Sequence, residues 1–393
     1  MLKVLVMDGR SRAALQIVRS LGKKNFRVYV GDEFKICTSF FSKYSYKNIV
    51  YPSPNTSQFL IHIIKIIKQY KIDLIIPVRD DTTIIFSKYK IILNRYTKLL
   101  VADIKKIMIG RDKYLTMIEA EKIGIPLPKT ELVKTPNDIF NSSIHYPFVL
   151  KPCISSGSRG LYIVKDEEYL LSIIDTLFIN YDRYLIQEYI GTDEGVVGAN
   201  VIYNYSGELI SIFTYRRLRD YPRGNGPSVL RKSIYHSQVS DYTRKLFDSL
   251  KWVGVAMVEY KIDRKDGIPK LMEINPRFWG SLALPIASGV DFPVILKNIV
   301  FNEAIIQKKY KENIYARWFL LGDILWFLKS DNIIKDAFEF FKFFKKDQYY
   351  DIASWSDPLP SIGAILEGIL RFLNKSQRDH VFRRGNNRDL LRF

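Results

Sequence analysis

Cysteine is nearly absent. The 393 residues hold two, Cys37 and Cys153. That is too few for a disulfide framework, and a reducing compartment fits. Histidine is also scarce, at His62, His145, His236 and His380, and none stands at zinc-ligand spacing with a cysteine. A bound metal would therefore be a hard ion held by oxygen. No apolar run reaches the ~18 residues of a membrane-spanning helix. Met1 leads straight into a short strand-like run, without a charged n-region or long apolar h-region, so no secretory signal is expected. Low-complexity tracts and internal repeats are missing. So is the G-x-G-x-x-G fingerprint: the turn after the first strand reads MDGRSRAA, which argues against dinucleotide binding there.

Negative charge is in deficit. Lys and Arg number 60 against 41 Asp and Glu, a net charge of +19. Nucleic acid, an anionic membrane surface and polyphosphate substrates would each suit that balance. So would Lys-rich solvated faces, because the basic residues are spread along the chain. No nucleic-acid recognition module accompanies the charge, so nucleic acid is not expected. Apolar residues make up 47% of the chain, ample for packed cores, and the length suits two to four structural units.

The N-terminal hundred residues alternate strand and helix patterns. LKVLVM, RVYVGD, DLIIPV and KLLVAD read as strands, and RSRAALQIVRSLG and FLIHIIKIIKQY as helices. This alternation predicts an open parallel sheet. From Gly110 the pattern changes. A helix capped by Asp112 ends at Gly124, and YPFVLKP and LYIVKD form a hairpin around a Gly/Ser tip. YLIQEYI is a strand, and GVVGANVIYN pairs with ELISIFTYRRLR around the turn NYSG. After about residue 305 the chain reads as aromatic, basic helices. The expected division is residues 1–110, 111–305 (with subdomains 111–190 and 191–305) and a helical basic extension 306–393.

Four features carry chemistry. Lys151 ends a strand and precedes SSGSRG, whose small residues let backbone N–H groups approach phosphate. An ordinary turn has the same composition, and no Walker A lysine follows. LIQEYIGTDEG runs from a strand to a turn carrying Asp193 and Glu194, which is equally what a solvated turn looks like. Glu259 lies fourteen residues before Glu273, across the turn RKDG. A hairpin would bring these acids together, and apposed carboxylates repel unless a cation bridges them. In LMEINPRFWG, Glu273, Asn275 and Arg277 are two residues apart, so an extended chain presents them on one face among apolar neighbours. Such a row is costly unless something binds it. Finally, Arg216, Arg217, Arg219, Arg223 and Arg231 surround a Gly-rich turn, a pattern suited to carboxylates or phosphates but also to an exposed basic loop.

In this order the motifs resemble the ATP-grasp superfamily from Lys113 to about Val290. The preceding residues resemble the N-terminal domain that commonly accompanies it, and the similarity is greatest to carboxylate–amine ligases and carbamoyl-phosphate-synthase-like members. The resemblance implies an α/β and α+β architecture: a parallel pre-ATP-grasp domain, then a two-subdomain ATP-grasp fold. It implies that Lys113 and Lys151 contact ATP phosphates and that Ser155, Ser156, Gly157, Ser158 and Gly160 belong to a lid loop. Gln187, Glu188, Tyr189 and Ile190 would line the adenine pocket, and Glu194 would hold the ribose. Glu259, Glu273 and Asn275 would hold one or two Mg2+ ions, with Mn2+ as a substitute. Arg277, with Arg217, would act on the substrate carboxylate and its phosphorylated form. Two positions depart from the pattern: Glu188 stands where relatives often carry Lys, and Met257 where some carry Arg. The implied activity is amide formation through an acylphosphate in the cytoplasm, with a small-molecule carboxylate and amine as partners. A bicarbonate-activating enzyme and a non-catalytic nucleotide-binding or envelope-associated protein are the alternatives. A homodimer, and contact with an anionic membrane at the inner face through the C-terminal region, stay open.

Overall fold

A computed structural model describes residues 1–373 other than 225, 307, 308, 331 and 344. The basic run RDHVFRRGNNRDLLRF, with His380, lies outside the described residues.

Three sheets organise the chain. The first is parallel, in the order Ser45–Val50, Arg27–Asp32, Lys3–Val6, Leu74–Ile76. Val4, Leu5 and Val6 are wholly buried, as expected for a parallel strand covered on both faces. KLLVAD does not become the expected fourth strand. It makes a single parallel bridge from Lys98 to Leu74, and the remaining place in the sheet goes to Ser45–Val50. That edge strand is mostly solvent-exposed, so its sequence SYKNIV carries no apolar alternation to announce it.

The second sheet has seven strands: Pro269–Asn275, Gly254–Ile262, Val196–Tyr203, Leu209–Asp220, Ser228–Ser233, Tyr315–Arg317 and Gln348–Tyr350. The third is a small antiparallel sheet, Thr130–Val133, Tyr184–Glu188, Phe148–Pro152 and Tyr162–Val164. It has its own apolar core, including Val133, Phe148, Leu150 and Ile186. The larger core clusters join the parallel sheet to the seven-stranded one.

The region after 305 contains the expected helices, among them Ile333–Phe340 and Leu359–Leu373. It also adds two strands. In ARWFLLGDILWFLKS, Tyr315–Arg317 is extended because Arg317 is wholly buried, ion-paired with Asp323 and donating to the Phe340 carbonyl at 2.6 Å. The segment then turns back on the N-terminal helix Arg12–Gly22. Asp351 meets Arg231 in a fully buried pair and Arg12 at 2.6 Å, while Asp357 holds Arg19 at 2.8 Å. The strand expected over ELISIFTYRRLR is present, and the chain beyond the Gly-rich turn is a second strand rather than an exposed loop. Arg217, Arg219 and Arg231 lie on the paired strands Leu209–Asp220 and Ser228–Ser233.

Candidate active site

The strand pair Gly254–Ile262 and Pro269–Asn275 sets Glu259 directly opposite Glu273. Gly198 faces Glu259 on the next strand, and Tyr215 faces Gly198 beyond it. Opposed residues share a face, so the four form one row across four strands. The glycine is required, since a Cβ there would come within 2.4 Å of the Tyr215 ring. The ring lies across Gly198 and its hydroxyl donates to Glu259 Oε1 at 3.3 Å. Arg217, two residues further along, ion-pairs with the same carboxylate and donates to the Gly226 carbonyl at 3.2 Å.

Two lysines close the other side. Lys113 opens the helix Lys113–Lys122, whose cap Asp112 accepts from the Tyr114 N–H at 2.9 Å and holds Arg183 at 2.5 Å. The Lys113 ammonium lies 3.7 Å from Glu273 and donates to the Ser155 carbonyl at 3.1 Å. Lys151 reaches over from the small sheet. Its ammonium donates at 3.2 Å to the carbonyl of Met272, the extra residue where the strand register shifts beside Glu273.

Asn275 ends its strand. Its Nδ2 donates to Glu273 Oε1 at 3.1 Å, and its Oδ1 accepts from Arg277 at 3.0 Å. Arg277 lies just past the strand, not on it, and its side chain turns back to Asn275. It is held there by Asp80 at 3.0 Å. Asp80 was not singled out in the sequence. It follows the Leu74–Ile76 strand, at the carboxyl edge of a parallel sheet where such folds place ligands, and that position was the available signal. Tyr215 and Gly198 were also missed, because their roles depend on strand register.

The charges are strongly coupled to burial. Lys151 is pushed down to about 7 by burial, with the neighbouring Lys113 adding to the effect. Lys113 is lowered too, again by burial, although Glu273 opposes the shift. Burial, reinforced by Glu273, raises Glu259 despite Arg217. Glu273 shifts the other way: burial would raise it, but Lys113, the Asn275 hydrogen bond and Lys151 together pull it down. Burial acts on Asp80 as well, yet Arg277 and Arg111 hold it at about 2.

The Gly/Ser loop joins two strands of the small sheet above this row. Gly157, Ser158 and Gly160 have positive φ, and a Cβ on Gly160 would meet Pro152 and Tyr181 at 2.8 Å. Arg159 turns back onto the Ser156 carbonyl at 2.9 Å. Gln187 ends up buried, its amide donating to Thr130 at 2.7 Å, so its side chain is engaged within the sheet. Glu188 lies 3.3 Å from Lys265, Tyr189 is partly exposed beneath Lys261, and Ile190 is buried. Glu194 is exposed and ion-pairs with Arg216. The two facing carboxylates are hard oxygen donors of the kind Mg2+ takes, and the Asn275 amide oxygen, turned to Arg277 here, is a third such donor beside them. Among the described residues no group of three or more His, Cys, Asp or Glu is placed to hold a metal ion.

The small sheet and the larger one each send side chains into a shared cleft. The family described as "ATP-grasp in the biosynthetic pathway with Ter operon" matches residues 182–318. A D-alanine–D-alanine ligase of Coprothermobacter proteolyticus is 27% identical over 222 residues, covering 51% of this chain and 71% of that protein. A carbamoyl phosphate synthase large chain of Thermotoga neapolitana is 24% identical over 268 residues, or 63% of this chain but only 24% of that protein. In three dimensions, the ADP complex of an N5-carboxyaminoimidazole ribonucleotide synthetase superposes with a TM-score of 0.67 at 15% identity, covering 84% of this chain and 85% of the other. Over these residues the chain is similar to ATP-grasp ligases, and it shares their fold.

Proposed function

We propose that the protein uses Mg2+·ATP to phosphorylate a small carboxylate and passes the acylphosphate to an amine, forming an amide. The observation that carries this reading is the convergence of Lys113 and Lys151 on Glu273, which itself faces Glu259. Lys113 and Lys151 would bind the ATP phosphates, with the Ser155–Gly160 loop over them. The Gln187–Ile190 backbone would take the adenine and Glu194 the ribose. Glu259, Glu273 and Asn275 would hold Mg2+, which neutralises charge on the transferring phosphoryl group. Arg277, oriented by Asp80, would align the carboxylate, and Arg217 would face the charge that develops on transfer. Closure of the loop would exclude water from the acylphosphate. The reaction would run in the cytoplasm, where ATP is supplied.

The test is ADP release with Mg2+·ATP across a grid of carboxylates and amines that includes amino acids, amino sugars, bicarbonate and ammonia. ADP that forms only with a carboxylate and an amine together is the expected result. ADP with bicarbonate alone would replace the reading with carboxyphosphate formation, and silence despite ATP binding would favour a nucleotide-binding protein.

Lys151 supplies a second expectation. Its folded value, about 7, lies below its ordinary 10.5. Between those values the unfolded chain holds the proton and the empty folded site does not. The lysine's contribution to stability therefore rises with pH across that window, and its burial cost is greatest below 7. Phosphate arriving beside Lys151 would restore its charge. ATP binding near pH ~8.5 should thus take up protons, measurable by calorimetry in buffers of different ionisation enthalpy. The Lys151→Met variant should lose most of that uptake. Equal uptake in both proteins would remove Lys151 from the phosphate site.

A further inference from the structure

The helix Leu359–Leu373 is built inside out. It turns Pro360, Gly363, Ala364 and Glu367 toward the protein, while Ile362, Ile365, Ile369 and Phe372 are each about half exposed. In the same stretch of chain, Ile334 and Phe338 of the helix Ile333–Phe340 are 75% and 73% exposed, and Trp355 is 98% exposed. Nearly half of the large apolar side chains exposed among the described residues fall between Leu321 and Leu373. Apolar surface gathered in this way marks an interaction site.

The charges of the same stretch are sorted. Asp323, Asp336, Asp351, Asp357 and Glu367 are buried. Lys329, Lys335, Lys342, Lys345 and Lys346 are exposed. The exposed acids among its described residues are Glu339, already paired with Lys342, and Asp347. Solvent thus meets apolar side chains and ammonium groups together. A second copy of the chain would set like-charged lysines against each other. An anionic leaflet complements them, and its interface accommodates exposed Ile, Phe and Trp side chains. No helix among the described residues is long and apolar enough to cross a membrane, so the contact would be peripheral.

We propose that residues 321–373 form a docking surface for an anionic lipid bilayer, with Trp355 and the apolar face of the Leu359–Leu373 helix entering the headgroup region. The proposal is independent of the reaction assigned to the cleft.

The experiment is flotation of the full chain with phosphatidylcholine vesicles and with phosphatidylcholine–phosphatidylglycerol vesicles. Binding to the anionic vesicles should exceed binding to the neutral ones by roughly tenfold or more and should weaken with salt. The triple variant Lys329→Glu/Lys335→Glu/Lys346→Glu changes only exposed side chains, so it should melt like the parent while partitioning roughly tenfold or more less well. The blue shift of tryptophan emission on binding should be lost in Trp355→Phe. Failure of the parent to float with anionic vesicles at low salt overturns the proposal. So does a dimer, seen by light scattering, that Ile365→Ser dissociates while neither protein floats, because the helix face would then belong to a second copy.

Discussion

Replacing Glu273 with glutamine is expected to lower ADP release by roughly a thousandfold while leaving the fold intact. The side chain keeps its shape and its hydrogen bond to Asn275, and it loses only its charge. That charge is what the site is arranged around. Lys113 lies 3.7 Å away, Glu259 is directly opposite, and Arg217 stands behind Glu259. With the amide in place of the carboxylate, the row would present a single acid, and Arg217 already neutralises that one. A divalent cation would have little left to hold it. Mn2+ binding in the presence of nucleotide, read by electron paramagnetic resonance, should weaken in parallel. Full turnover by Glu273→Gln would move the metal site elsewhere. Weak Mn2+ binding with full turnover would separate the metal from the chemistry.

The second large effect is on stability. Asp351→Ala should destabilise the protein by about 3–5 kcal/mol, the cost of leaving a buried charge without its partner. Arg231 and Asp351 are both wholly inaccessible, and Arg12 meets the second carboxylate oxygen at 2.6 Å. Truncating the acid strands two arginines at once. Replacing all three charges together, as Arg12→Met and Arg231→Met with Asp351→Leu, should recover most of the loss, because apolar side chains carry no desolvation penalty there. Urea unfolding followed by tryptophan fluorescence measures both. A loss of under about 1 kcal/mol in Asp351→Ala would mean that water reaches the pair.

Much of this arrangement was legible in the amino-acid order. Glu259 and Glu273 are separated by a short turn between two strand patterns, and strand pairing then puts them face to face. Lys151 at a strand end and Asp112 at a helix start were equally plain, because capping and alternation are local signals. What escaped depends on contacts distant in sequence. The strand Ser228–Ser233 contains Arg231 and Lys232, so it reads as a basic loop until Asp351 is known to lie beside it. The strand Tyr315–Arg317 is masked for the same reason by its buried arginine. Gly198 looks like any strand glycine, and only the register across three strands reveals the tyrosine ring above it. The apolar outer face of Leu359–Leu373 escaped differently: amphipathic spacing predicts a helix, but not which side of it faces the protein.

The return of the C-terminal segment onto the N-terminal helix bears on synthesis. Arg12 and Arg19 emerge from the ribosome well before their carboxylate partners, Asp351 and Asp357, which lie more than three hundred positions downstream. At typical elongation rates of about 5–20 residues per second, that interval lasts roughly 20–70 s. During that time the parallel sheet can assemble, but the outer face of its first helix carries two uncompensated cations. The first helix therefore stays unsealed until the segment carrying Asp351 and Asp357 is made, and that segment acts as the clasp that completes the unit.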